Sequence, residues 1–153
     1  MHKLRIYIDT SVIGGCFDKE FSEWSNMLFD EFIVGKKIAV ISPTSVDGLK
    51  NAPEFVKEKL EQIPDDFLEI LAYNDDIANL AQEYIRNNAV PKKFLDDATH
   101  IAYATFYKTD LLVSWNFKHI VNIDRIRKYN SVNMMQGYSC IEIRTPREVI
   151  YEK

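Results

Sequence analysis

Long apolar runs are missing from this 153-residue chain. The longest are about five residues, far short of the roughly 20 that a membrane-spanning helix needs. Cysteine is nearly absent: Cys16 and Cys140 lie far apart, with no CxxC or Cys/His grouping. Free thiols are therefore expected, and a zinc site or a disulfide framework is not. Glycine and proline number five each and are scattered, and neither a low-complexity tract nor an internal repeat is evident. Positive charge is not in excess. A net charge of −4 argues against a protein that grips nucleic acid over its whole surface, although it leaves room for a local basic rim. The start, Met1-His2-Lys3-Leu4-Arg5, runs straight into a strand pattern, so no signal peptide is expected. The expectation is a cytoplasmic protein that does not enter a membrane.

What is present is the balance of a globular domain, 46% hydrophobic and 27% charged, at a length suited to one domain over residues 1–153. Leu4-Arg5-Ile6-Tyr7-Ile8 is a β-rich run closed by Asp9-Thr10-Ser11. Phe21, Trp24, Leu28 and Phe32 then recur at helical spacing as far as Gly35, which predicts a helix with Trp24 in the core. Lys37 to Ile41 reads as a second strand, with a short helix after Pro43. Pro53 opens another helix through Val56 and Leu60, and Phe67 to Leu71 reads as a third strand. Ile77, Leu80, Ala81, Tyr84 and Ile85 form a helical face, and Phe94 to Tyr107 is the strongest helix pattern. Leu111-Leu112-Val113 suits a strand buried on both faces. Ile141 to Ile143 reads as a last strand, with Pro146 opening a terminal helix. Strands alternating with helices predict a parallel sheet in a layered α/β domain, in which ligands sit beyond the carboxyl ends of the strands.

Those strand ends point to polar residues. Asp9 follows the first strand, Asp47 lies after the second in Ser45-Val46-Asp47-Gly48-Leu49, and Asn116 follows Leu111-Leu112-Val113-Ser114-Trp115. Asp97 sits in the first turn of the strong helix, where the helix dipole favours a carboxylate. Carboxylates gathered in one place repel unless a cation lies between them, and hard oxygen ligands suit Mg²⁺ or Mn²⁺. Each residue also has an ordinary structural use. Asp9 and Asp96 can cap helices, Asn116 can serve a turn, and His100 can be a core histidine. Lys92, Lys93, Lys118, His119, Arg125, Arg127 and Lys128 can hold phosphates or simply be solvated. Trp115 can pack under the site or stack on a base.

Three segments together resemble the PIN domain family, in particular prokaryotic PIN proteins related to VapC-type toxins. They are Ile6-Tyr7-Ile8-Asp9-Thr10-Ser11-Val12, Leu95-Asp96-Asp97-Ala98-Thr99-His100-Ile101-Ala102, and Asp110-Leu111-Leu112-Val113-Ser114-Trp115-Asn116-Phe117-Lys118-His119-Ile120-Val121-Asn122. The tail from Asn130 through Gly137-Tyr138 to Glu148 is similar to one branch of that family. The resemblance implies a three-layer α/β/α domain with a central parallel sheet, and cleavage of RNA by water activated on Mg²⁺ or Mn²⁺. It implies Asp9 and Asp97 as catalytic metal-binding residues, with Asn116 at a further ligand position and the hydroxyl of Thr10 or Ser11 beside Asp9; Asp47, read from the strand ends, and the Ser114 hydroxyl are expected at the same site. It further implies an antitoxin protein as partner and a homodimer.

Two positions depart from the family pattern. Asn116 stands where many members carry aspartate, so it brings an oxygen without charge. Gly48 precedes Leu49 where a glutamate is usual. Asp47 is one residue earlier, and on a helix that offset turns a side chain by about 100°. A PIN module that binds RNA or a protein partner without cutting is the competing expectation. A haloacid-dehalogenase-like phosphatase fits worse, because Ser11 stands where it needs a second aspartate. A receiver domain needs its paired acids near the first strand, whereas Asp96-Asp97 opens a late helix.

Overall fold

Ile6, Tyr7 and Ile8 have apolar side chains on successive positions, so they suit a strand covered on both faces, and the chain places them at the centre of the sheet. The computed structural model describes residues 2–150. Among the described residues five strands, β1 (Arg5–Ile8), β2 (Ile38–Ile41), β3 (Leu68–Ile70), β4 (Leu111–Val113) and β5 (Ile143–Arg144), form one sheet in the order β3-β2-β1-β4-β5. Every neighbouring pair is parallel, with Ile6 opposite both Ala39 and Leu111. The helices are α1 (Thr10–Gly15), α2 (Ser22–Ile33), α3 (Pro43–Gly48), α4 (Glu54–Glu61), α5 (Asp75–Arg86), α6 (Leu95–Phe106), α7 (Ile123–Met135) and α8 (Pro146–Ile150).

Alternation along the strands divides the core into two layers. Tyr7, Val40, Leu112 and Ile143 face one way and pack on α5, α6 and α7, against Ile77, Leu80, Tyr84, Ile101 and Tyr129. Ile6, Ile8, Ala39, Ile41 and Val113 face the other way, against Val12, Leu28, Phe29, Phe32 and Val149 from α1, α2 and α8. This is the three-layer α/β/α arrangement expected. Helix starts follow local chemistry: the Asn74 side chain accepts the Asp76 N–H, the Asn122 side chain accepts those of Asp124 and Arg125, and Pro43 opens α3. Among the described residues no helix is long and apolar enough to cross a membrane.

Two elements differ from the sequence expectation. Helix α7 was not anticipated, because its apolar positions (Ile123, Ile126, Tyr129, Val132) are diluted by charged and amide residues. The last strand begins two residues later than expected. Asn130 of α7 takes both backbone groups of Ile141, accepting its N–H at 2.8 Å and donating to its carbonyl at 3.1 Å. The sheet ladder therefore starts at Glu142, whose carbonyl accepts from Leu112.

Candidate metal and phosphodiester site

In the order β3-β2-β1-β4-β5 the chain moves outward from β1 to β3, then crosses back to place β4 on the other side of β1. The crevice at the carboxyl ends of β1 and β4 is thus the switch point of the sheet, where open α/β folds hold ligands. Asp9 leaves β1 there, and Ser114 and Asn116 leave β4. Asp9 is buried and fully engaged. Its Oδ1 accepts from the Ser11 hydroxyl at 2.6 Å and from the Val12 N–H at 3.3 Å, and its Oδ2 accepts from the Ser114 hydroxyl at 2.6 Å. Asp9 therefore caps α1 and also stands in the crevice. The two hydroxyls are held in turn: the Trp115 N–H donates to Ser11 Oγ at 2.9 Å, and the Asn116 N–H donates to Ser114 Oγ at 2.9 Å.

Asp97 comes to the same crevice from the first turn of α6. Burial pushes its carboxyl up to about 6, the charge of Asp9 adds to this, and a hydrogen bond from Asn116 opposes it. Asn116 Oδ1 already accepts the N–H groups of Lys118 (3.2 Å) and His119 (2.9 Å). The group it turns toward Asp97 is therefore its amide N–H, a donor to the carboxylate rather than a lone pair for a metal. Asp96 lies beside Asp97 in that turn and makes no capping bond; the residue at the cap position is Phe94.

The other expected residues are placed as follows. Asp47 is exposed and pairs with Lys50 at 3.4 Å, and the carboxylate charges acting on Asp97 are those of Asp9 and Asp96. Thr10 turns its methyl group to Gly48, where a Cβ would lie 2.8 Å from Thr10 Cγ2. A side chain at position 48 would thus meet the residue next to Asp9. Among the described residues no three acidic, histidine or cysteine side chains form a metal-holding group. Asp9 and Asp97 still suit a hard cation, since Mg²⁺ commonly takes one or two carboxylates and fills its shell with water and phosphate oxygens.

Beneath the crevice lies a buried polar cluster that sequence reasoning passed over. The Tyr7 hydroxyl is hydrogen-bonded to Ser42 Oγ and to His100 Nδ1, both at 2.6 Å. Burial holds the Tyr7 phenol above its ordinary range and the His100 imidazole below its own, so both stay neutral near pH 7. The signal was the lone tyrosine in an aliphatic strand, with a histidine one turn after Asp97.

The basic rim is reduced. His119 is buried, with its ring 3.7 Å from that of Phe94, Arg125 donates to the Ala89 carbonyl, and Lys128 pairs with Asp124. Trp115 packs under the site as one expectation had it, its indole N–H donating to Ser25 Oγ at 2.8 Å and its ring stacked on Phe21. Trp24 is only partly in the core, because one face carries the Arg147 guanidinium at 4.9 Å. Compared with known proteins, the sequence matches no family model and no curated protein.

Proposed function

We propose that this chain is a metal-dependent endoribonuclease of the PIN type, hydrolysing RNA phosphodiester bonds at the crevice between β1 and β4. The observation that carries the proposal is the pairing of Asp9 and Asp97 at the switch point, close enough for one charge to raise the other's pKa. Asp9 and Asp97 would hold Mg²⁺ or Mn²⁺. The ion, when bound, lowers the pKa of a water and offsets charge on the phosphate. Ser11 and Ser114 fix both oxygens of Asp9, so that carboxylate is oriented before substrate arrives. The surrounding burial lowers the local dielectric and strengthens every charge contact there.

The test is RNA cleavage in Mn²⁺ by wild type and by Asp9→Asn. Loss of more than about 100-fold is expected, beyond the range for removing an outer hydrogen-bond partner; equal rates, or no product from either, sink the proposal. A second reading, RNA binding without cleavage, is favoured by the Asn116 amide orientation and by Gly48. Chelator-insensitive binding with no product would select it. The nuclease reading also carries a cytoplasmic location, an antitoxin protein and a second copy of the chain as partners, which co-purification and light scattering would test.

A further inference from the structure

A half-open cleft of about 350 Å³ lies beside the crevice, lined by Glu20, Phe21, Trp24, Trp115, Phe117 and Arg147 together with Thr145. Its volume is at the lower end of small-ligand sites, which run from about 300 to 1,000 Å³. We propose that this cleft is a subsite for one unpaired nucleobase of the RNA strand whose phosphate occupies the crevice between β1 and β4. The inference rests on the RNA reading above and adds where a base beside that phosphate is held.

Three observations carry it. First, the cleft is continuous with the site. Trp115 lies between Ser114 and Asn116, and its backbone N–H donates to the hydroxyl of Ser11, which itself donates to Asp9. Second, the cleft is aromatic and offers an open ring. Phe21 and Trp115 stack on each other at 4.3 Å and so cover one another, while Phe117, tilted beside both at about 6 Å, is half exposed. An open aromatic face accepts any base. Third, the rim is polar at both ends. Arg147 lies over Trp24 and forms no ion pair among the described residues, so its N–H groups can meet a phosphate or a base edge. Glu20 supplies an acceptor for exocyclic amino groups. An apolar peptide side chain would leave both rim charges unused.

The shape of the cleft is set by close packing. A Cβ on Gly15 would lie 2.8 Å from Trp115 Nε1 and 2.7 Å from Ser25 Oγ, so glycine lets the indole bond to Ser25 and stand as the floor. Because Phe117 is half exposed, its removal leaves the core intact.

The chain has two tryptophans, and both line this cleft, so intrinsic fluorescence reports on its occupancy. The experiment titrates the full chain, in chelator, with a fluorescein-labelled single-stranded oligoribonucleotide. Binding is followed by anisotropy, and an unlabelled strand is used for tryptophan emission. Quenching should track the binding curve, and Phe117→Ala should weaken binding roughly 5- to 150-fold, the range for one stacked base. An abasic residue walked along the strand should abolish quenching at one position, and duplex RNA should quench weakly. Anisotropy binding with no quenching, or binding unchanged in Phe117→Ala, overturns the subsite, as does absence of RNA binding. Quenching without any cleavage in Mn²⁺ keeps the subsite and removes the nuclease reading. Cleavage without quenching does the reverse.

Discussion

Replacing Asp97 with asparagine keeps the shape of the side chain while removing one of two facing charges. In the wild type, burial and the Asp9 charge move the Asp97 carboxyl from 3.8 to about 6. The native state therefore binds a proton more tightly than the unfolded chain does, and stability falls as pH rises through that window. The whole displacement corresponds to roughly 3 kcal/mol. Because the carboxylate is partly open to solvent, screening reduces the usable part to about 1–2 kcal/mol. Asp97→Asn should thus be more stable than wild type by that amount above about pH 6, a rise in Tm of about 2–8 °C for a chain of this size. The gain should shrink as pH falls and vanish below 3.8, where the carboxyl is protonated in both states. Chemical denaturation from pH 3.5 to 8 measures this, and other titrating groups cancel in the difference between the two proteins. A difference that is flat with pH, or a variant less stable at pH 8, would refute the electrostatic account. Adding Mn²⁺ at ten times its Kd should stabilise wild type by about 1.4 kcal/mol and narrow the gap.

Three further outcomes are expected. Gly48→Ala brings a Cβ to 2.8 Å from the Thr10 methyl and should cost about 1–2 kcal/mol; adding Thr10→Ser removes that methyl and should recover most of it, read as non-additivity in a double-mutant cycle. Glu31→Gln leaves the buried Lys37 ammonium, now 2.5 Å from the Glu31 carboxylate, without its counter-charge, and should cost about 3–5 kcal/mol in denaturant melts, whereas Glu31→Gln with Lys37→Met should cost less. Ser114→Ala strips the donor from Asp9 Oδ2 and the acceptor from the Asn116 N–H, and cleavage should fall roughly 10- to 100-fold with circular dichroism unchanged.

Much of the layered architecture was visible in the sequence because each strand carries its own pattern. Ile6-Tyr7-Ile8 and Leu111-Leu112-Val113 are nearly continuous apolar runs, as burial on both faces demands, and the strands alternate with helical periodicities. Helix α7 was not visible because amides and charges hide its apolar positions. Asn133 is one of them: it is buried and bonded to Tyr84 and Thr105, so it works as core while counting as polar. Strand β5 was misplaced because its start is set by Asn130, a tertiary contact that no local pattern records. At the site, Asp9 and Asp97 could be picked out from strand and helix ends taken together with the family resemblance. The orientation of Asn116 could not be read, since it depends on the turn N–H groups of Lys118 and His119. The Tyr7–His100 pair spans 93 residues, and spacing along the chain carries no signal of it.

The position of β1 has a consequence for assembly during synthesis. Among the described residues the central strand β1 comes first in the chain, and its partner on the site side, β4, comes fourth of five. The Ser114–Asp9 bond joins residues 105 apart. Contacts of that separation form late, because the loop entropy must be met before they reward the chain. A chain whose synthesis stops before residue 111 can pair β1 with β2 and β2 with β3, yet its crevice has one open wall and Asp9 lacks Ser114. Among the described residues the crevice thus closes only once β4 has been made, so Asp9 waits for Ser114 long after β1 itself exists.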